Sequence, residues 1–141
     1  MNNNEKRFNV YKGEKDGLPV SIMADPNYQN YSLKQDYPWF LWIRIEMKDV
    51  DQQGQPSEKE DILLNDFEDR IENEIFKSSP TYFVGRVTWN KDRQIYLYTS
   101  DAKSANAVLE KIAENPTRPF EYKIEKDPEW EKVKESIGLS K

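Results

Sequence analysis

The sequence predicts an α+β domain in which two helices cover one face of an antiparallel sheet. Apolar residues alternate with a period of two in several short segments and recur every three or four residues in two longer ones. These are the patterns of strands and of amphipathic helices. A chain of 141 residues has the length of one domain, and no repeat or shift in composition divides it. We therefore predict a single domain over residues 1–141, with residues 1–6 disordered.

The first predicted elements are a hairpin and one long strand. Residues 8–11 alternate, residues 13–17 hold two glycines and an aspartate that favour a turn, and residues 18–24 are extended. A polar loop is predicted over residues 25–36. Residues 37–48 then form the clearest strand, because apolar side chains occupy every second position.

A long helix follows this strand. Ser57 and Glu60 have the spacing of a capping box, and the helical pattern continues to near Lys77 before Pro80 ends it. The predicted buried stripe consists of residues at helical spacing: Leu63, Leu64, Phe67, Ile71 and Ile75.

Three further elements complete the predicted sheet and its helices. Residues 82–89 and 93–99 predict a second hairpin, and residues 101–114 predict a second helix. Residues 120–124 alternate and predict a final strand.

A short last helix is predicted after the final strand. Asp127 is its predicted N-cap and Pro128 occupies the first helical position, while Gly138 suits the C-cap. Its apolar face consists of Trp130, Val133 and Ile137. Asp127 and Glu129 are acids at a helix start, where they suit the helix dipole, so we interpret them as capping residues rather than as a catalytic pair.

Without the first hairpin and the last helix, the order of elements is strand, helix, strand, strand, helix, strand. This order is typical of the ferredoxin-like, or split βαβ, arrangement. Right-handed crossovers then place residues 39–47 and 93–99 at the centre of the sheet. The predicted helix-facing side chains are Trp39, Leu41, Ile43, Ile45, Phe83, Val87, Ile95 and Leu97. The predicted opposite face carries Phe40, Trp42, Arg44, Tyr82, Arg86, Thr88, Tyr96 and Tyr98.

This opposite face is where the sequence points to a function. Its side chains either pack under the first hairpin or the last helix, or they form a binding surface, because exposed apolar patches with polar rims mark interaction sites. Our leading hypothesis is a non-enzymatic binding or regulatory domain that contacts another protein, or a second copy of itself, through this face. The candidate binding residues are Phe40, Trp42, Arg44, Arg86, Thr88, Arg93, Tyr96 and Tyr98.

Binding of RNA or single-stranded DNA by the same face is an alternative. RNA-recognition modules stack bases on aromatic residues of the two central strands, and Phe40, Trp42, Tyr96 and Tyr98 occupy such positions. However, residues 91–98 lack the basic-glycine-aromatic signature, and a net charge of −5 opposes binding to phosphates. We therefore do not expect nucleic acid to be the partner.

The charge is concentrated on the first long helix. Residues 57–79 hold eight acidic and three basic residues, which accounts for the whole net charge of −5. We interpret this helix as carrying a solvated acidic face. A docking surface for a basic partner is the alternative.

The composition excludes several kinds of chemistry. The chain has no histidine and no cysteine, which removes imidazole bases, thiol nucleophiles and the usual zinc sites. Phosphate loops and nucleophile elbows are absent from the sequence, so we predict no catalytic residues, no cofactor and no metal. A small-molecule or anion-binding enzyme with Arg86, Thr88 and Arg93 as the anion cradle is the remaining alternative. No apolar run approaches the ~20 residues of a membrane span and no secretion signal is present, so we expect a cytoplasmic protein.

Four short motifs, in this order, resemble one bacterial family. They are Asp16-Gly17-Leu18-Pro19, Tyr37-Pro38-Trp39, the stretch over residues 84–98 that begins Val84-Gly85-Arg86-Val87-Thr88, and Asp127-Pro128-Glu129-Trp130. Together they span most of the chain and are similar to the family catalogued as domain of unknown function 695. The resemblance implies a small α+β bacterial domain without assigned catalytic residues. Some similar proteins carry a domain resembling the inhibitory regulator of ribonuclease E, which implies regulation by protein contact.

Overall fold

A computed structural model describes residues 8–137 and confirms the α+β class. The strands are β1 Asn9–Lys15, β2 Leu18–Ala24, β3 Trp39–Glu46, β4 Thr81–Trp89, β5 Asp92–Thr99 and β6 Phe120–Lys126. The helices are α1 Glu58–Ser78, α2 Ala102–Glu114 and α3 Lys132–Ile137. The predictions for residues 1–6 and for Gly138 lie outside the described residues. Within the described part of the chain, no helix is long and apolar enough to cross a membrane.

The six strands form one antiparallel sheet in the order β1-β2-β4-β5-β3-β6. β3 and β5 lie side by side with β4 and β6 flanking them, so the two strands predicted at the centre are both interior. The hairpin β1–β2 extends the sheet beyond β4. It therefore lies beside the other four strands and does not cover their face.

Two hydrophobic cores lie on opposite faces of the sheet. α1 and α2 cover the first core, which contains Leu41, Ile43, Ile95 and Leu97 as predicted. The second core is covered by α3 and by part of the segment between β2 and β3. Its members from the sheet include Phe40, Tyr82, Tyr96 and Tyr98, and those from its cover are Tyr28, Trp130, Val133 and Ile137. Of the two covers considered from the sequence, the last helix is the one that lies on this face.

A β-bulge in β4 reverses the predicted faces of the part of that strand that follows it, whereas Tyr82 and Phe83 lie on the predicted faces. The register shifts between Phe83 and Gly85, which leaves Val84 as an extra residue. Because side chains alternate along a strand, one extra residue moves every later side chain to the other face. The predicted faces are therefore wrong for three residues: Arg86 and Thr88 lie on the helix side, and Val87 packs against the second core.

Gly85 is required for the close approach of β2 to this bulge. A Cβ atom on Gly85 would overlap the carbonyl oxygen of Met23 and lie 2.8 Å from Cδ1 of Ile137. We expect Gly85→Ala to lower the free energy of unfolding by about 1–3 kcal/mol, the usual cost of overpacking, as measured by urea unfolding. Gly13→Ala in β1 is the matched control, because there only the exposed Tyr11 side chain would have to move. An equal loss of stability at both positions would contradict the prediction.

Two local predictions about helices are also wrong. α3 begins at Lys132 rather than at Pro128, because Trp130 donates its amide hydrogen to the carbonyl oxygen of Asp127 and has a φ of 58°, which forms a turn. Asp127 still caps the helix, since its carboxylate accepts from the amide groups of Glu131 and Lys132. Leu63, predicted in the buried stripe of α1, is exposed.

Candidate binding cleft

The aromatic side chains of the predicted binding face are largely covered. Phe40, Tyr96 and Tyr98 are buried in the second core, whereas Trp42 is half-buried at its margin. The ring of Trp130 stacks on Tyr98 with the ring centroids 4.3 Å apart. Neither a partner protein nor a nucleic-acid base can reach the three buried rings while α3 is in place.

Two hydrogen bonds between tyrosine and aspartate hold this cover on the sheet. Tyr98 donates its hydroxyl hydrogen to Oδ2 of Asp127, just before α3, over 2.6 Å. Tyr82 donates in the same way to Asp25, just after β2. Each carboxylate also accepts backbone amide hydrogens from its own turn. Both covering segments are therefore tied to the sheet at their starting points.

These buried phenols predict an alkaline limit to stability. Burial, and then the hydrogen bond to an aspartate, raises the pKa of Tyr82 and of Tyr98 above the ordinary 10.0, and burial raises the pKa of Tyr96 to about 12. With raised pKa values, the stabilisation is complete below the ordinary pKa and is lost as the pH rises, because the unfolded chain ionises first. We expect the three phenols to ionise only as the protein unfolds. The measurement compares phenolate absorbance with circular dichroism during an alkaline titration.

The Tyr98→Phe variant identifies the contribution of one buried phenol to that titration. Its phenolate signal should equal that of the unmodified chain before unfolding begins, and should be smaller from the unfolding transition onward. A difference that arises before the circular dichroism changes would count against the prediction.

The uncovered end of the same face carries the other two predicted residues. The indole N–H of Trp42 donates to Gln94 over 2.8 Å. Arg44 forms ion pairs with Asp92 and Glu121, and the hydrogen bond to Asp92 is the main cause of its raised pKa. Both side chains are therefore engaged with neighbours on the sheet.

The structure brings Arg86, Thr88 and Arg93 together on the helix side. Because β1–β2 extends the sheet past the helices, an open cleft of about 340 Å³ lies between this hairpin and the start of α1. We call it the hairpin cleft. Its strand wall includes Lys12, Arg86, Thr88 and Arg93, and its helix wall includes Ser57, Glu58 and Asp61.

Arg93 is the buried anchor of the hairpin cleft. Its Nε donates to Thr88 Oγ1 over 3.2 Å, its Nη1 to Asn65 over 2.8 Å and its Nη2 to Asp61 over 2.8 Å. Burial, and then the nearby charge of Arg86, lowers the pKa of Arg93, while carboxylates of α1 act in the opposite direction. Bonds to β4 and to two turns of α1 hold this guanidinium in one orientation.

Arg86 is held less completely than Arg93. Its Nη1 donates to the buried carboxylate of Glu68 over 2.8 Å, and its side chain is 23% exposed. Among the described residues, this is the one hydrogen bond that its side chain makes. The rest of the Arg86 guanidinium is therefore open to the cleft.

The charges of the hairpin cleft are separated by wall. The basic side chains come from strands: Lys12 from β1, Arg86 from β4 and Arg93 from β5. The acidic side chains, Glu58 and Asp61, come from α1. One wall of the cleft is therefore cationic and the opposite wall is anionic. No group of three or more carboxylates within residues 8–137 could hold a metal ion.

Sequence reasoning missed that α1 turns three of its acids inward. Glu60, Glu68 and Glu72 are buried, so the interpretation of a solvated acidic face is wrong for them. Glu60 forms a bidentate ion pair with Arg118, whose Nη1 donates to Oε2 over 3.1 Å and whose Nη2 donates to Oε1 over 2.9 Å. A signal was present in the sequence: these acids share a four-residue spacing with Leu64 and so fall on the apolar stripe.

The fold and the hairpin cleft define a class, that of a small α+β domain with a charged cleft beside an added hairpin. Residues 6–135 match the model described as "Family of unknown function (DUF695)", so the chain belongs to this family, and the resemblance predicted from its motifs is confirmed. A comparison with curated proteins finds no match.

Proposed function

We propose that this chain is a non-enzymatic binding domain that acts by contact with another protein and takes a segment of that partner into the hairpin cleft. The observation that carries the proposal is the convergence of Arg86, Thr88 and Arg93 where the sheet extends past its helices. Hydrogen bonds to carboxylates of α1 already hold Arg86 and Arg93. Binding therefore costs little additional conformational entropy for these two side chains. The contact surface moves from the aromatic face to the cleft, because α3 covers the aromatic rings.

Two hydroxyl groups of the cleft, those of Ser57 and Thr88, favour a binding role over catalysis. Ser57 Oγ donates to Asp49 and accepts from the amide of Glu60, which caps α1. Thr88 Oγ1 accepts from Arg93. Both hydroxyls are therefore engaged in structural hydrogen bonds, one in the cap of α1 and the other in the anchoring of Arg93.

Selection from a display library of random peptides, with the whole chain as target, tests the proposal. Ser21 is the position to alter, because it lies on β2 between Lys12 and Thr88 in the register of the sheet. We expect selected peptides to bind in solution, and Ser21→Trp to weaken them about tenfold or more by filling the cleft. Ala107→Trp, at an exposed position on α2, is the matched control and should bind like the unmodified chain.

Two results would overturn the proposal. One is a selection that enriches no peptide over an inert target. The other is unchanged binding by Ser21→Trp, and if that variant does not fold, unchanged binding by Lys12→Trp, which adds bulk at an exposed position of the cleft, has the same meaning. Light scattering of the chain alone tests for self-association. A dimer that Ser21→Trp dissociates would make a second copy the occupant instead of a different protein.

We also propose that β3 to β6, with α1 and α2, form a ferredoxin-like unit. The strand order β4-β5-β3-β6, with a helix in each of the two connections, supports this assignment. In that arrangement the hairpin β1–β2 and the helix α3 are additions to the unit. The first addition creates the cleft and the second closes the aromatic face.

A further inference from the structure

The separated charges of the hairpin cleft indicate the chemistry of its occupant. We propose, building on the function proposed above, that the partner's segment is dipolar: an acidic side chain meets the strand wall and a basic side chain meets α1. Charged groups on both walls stay available after the internal ion pairs of the cleft are formed.

The strand wall offers cationic groups to an acidic side chain. Lys12 is exposed and forms no ion pair with any described residue. Nη1 of Arg86 donates to Glu68, and the rest of the Arg86 guanidinium is open to the cleft. A planar guanidinium with free N–H groups suits a carboxylate, which can accept two bonds from it.

The helix wall offers carboxylate groups to a basic side chain. Glu58, in the first turn of α1, is exposed and makes no ion pair within the described part of the chain. Oδ1 of Asp61 accepts a hydrogen bond from Arg93, but the Asp61 side chain is 47% exposed. Both carboxylates therefore remain accessible to a lysine or arginine of the partner.

A ligand with a single kind of charge fits this cleft less well. An anion such as inorganic phosphate would be attracted by the cationic strand wall but repelled by Glu58 and Asp61 on the helix wall. The attraction and the repulsion oppose each other, which lowers the net electrostatic gain. A purely cationic segment would be attracted by the carboxylates of α1 but repelled by Lys12 and Arg86. A segment that carries both charges gains at both walls, so charge complementarity favours the dipolar occupant.

A charge exchange on the rim of the cleft tests this inference. The double variant Lys12→Glu with Glu58→Lys keeps the net charge and alters two exposed residues, so it leaves the buried pairs of Arg86 and Arg93 in place. We expect a peptide from the selection to bind the double variant about tenfold or more weakly than the unmodified chain. The same peptide, resynthesised with its acidic and basic residues exchanged, should recover most of the lost affinity. Inorganic phosphate at the same ionic strength should not compete.

The outcomes separate this inference from the proposed function. If peptides bind and Ser21→Trp blocks them, but the charge exchange has no effect or the resynthesised peptide recovers nothing, the dipolar chemistry is wrong and the cleft remains a protein-binding site. Selected peptides that carry one sign of charge would also overturn the inference. If no peptide is enriched, the proposed function itself fails.

Discussion

Replacing Trp130 with alanine is expected to lower the free energy of unfolding by about 3–5 kcal/mol, the range for deleting a large buried aromatic side chain. Trp130 is fully buried. Its ring stacks on Tyr98 at 4.3 Å and contacts Tyr82 at 5.2 Å between centroids. Its indole N–H donates to the carbonyl oxygen of Tyr37 over 2.9 Å. The substitution therefore removes apolar burial, ring contacts and a hydrogen bond together.

The loss at Trp130 is best measured by urea unfolding beside two further variants. Trp42→Ala is the matched control, because Trp42 is half-buried at the uncovered end of the same face, and it should lose clearly less stability. Tyr98→Ala should resemble Trp130→Ala, since Tyr98 is the ring on which Trp130 stacks. If Trp130→Ala and Tyr98→Ala were as stable as the unmodified chain, α3 would not be the cover of this face.

Replacing Arg118 with alanine is the other change with a large expected effect. Arg118 and Glu60 are both buried, and the Glu60 carboxylate also accepts from the amide of Lys48 over 2.6 Å. Removing one partner of a buried ion pair leaves an uncompensated charge, which costs about 3–5 kcal/mol of unfolding free energy. The pair joins the start of α1 to the loop before β6, so the loss should be cooperative across the domain.

The same substitution should change the dependence of stability on pH. Burial acts to raise the pKa of Glu60, but the hydrogen bonds from Arg118 and Lys48 outweigh it and the pKa is lowered from 4.5. With a lowered pKa, the stabilisation is present above the ordinary value and is lost as the pH falls through the lowered one. In Arg118→Ala the pKa of Glu60 should rise, so part of the stability lost at neutral pH should return on acidification.

Urea unfolding at several pH values between neutral and acid measures this effect. The control is the double variant Glu60→Gln with Arg118→Met, which removes both charges and should show a weaker dependence on pH in this range. If Arg118→Ala and the unmodified chain lost stability in parallel on acidification, the ion pair would not be the cause of the lowered pKa.

Several elements of this fold could be predicted from local sequence alone. The capping-box spacing of Ser57 and Glu60 marks the start of α1, and the Ser57 hydroxyl does accept from the Glu60 amide over 3.1 Å. The alternation over β3 and the turn residues of both hairpins place the strands. These signals are local, because each depends on residues a few positions apart in the chain. The motifs that indicate the family are local in the same sense, since they are short runs of neighbouring residues.

The candidate site could not be predicted in the same way, because it depends on contacts distant in sequence. The sequence predicts that Arg86, Thr88 and Arg93 form an anion cradle, but it predicts the first two on the aromatic face. One extra residue at Val84 moves Arg86 and Thr88 to the helix side. The three consecutive apolar residues before Gly85 were the local sign of that bulge, because a glycine inside a strand suggests one. The carboxylate partners of Arg86 and Arg93 are Glu68 and Asp61 of α1, which lie 18 and 32 residues away in the chain.

The sequence by itself determined the α+β class, the order of the strands and helices and the family, because short-range periodicity and turn chemistry specify these features. The tertiary structure decided which faces are open. The apolar face of α3 has to be buried, and the aromatic face of the sheet offers the surface for it, so that face becomes a core. The hairpin has a sheet edge to pair with but no helix above it, so the hairpin cleft stays open. Which surface covers which is settled by packing between segments distant in sequence, and no local pattern carries that information.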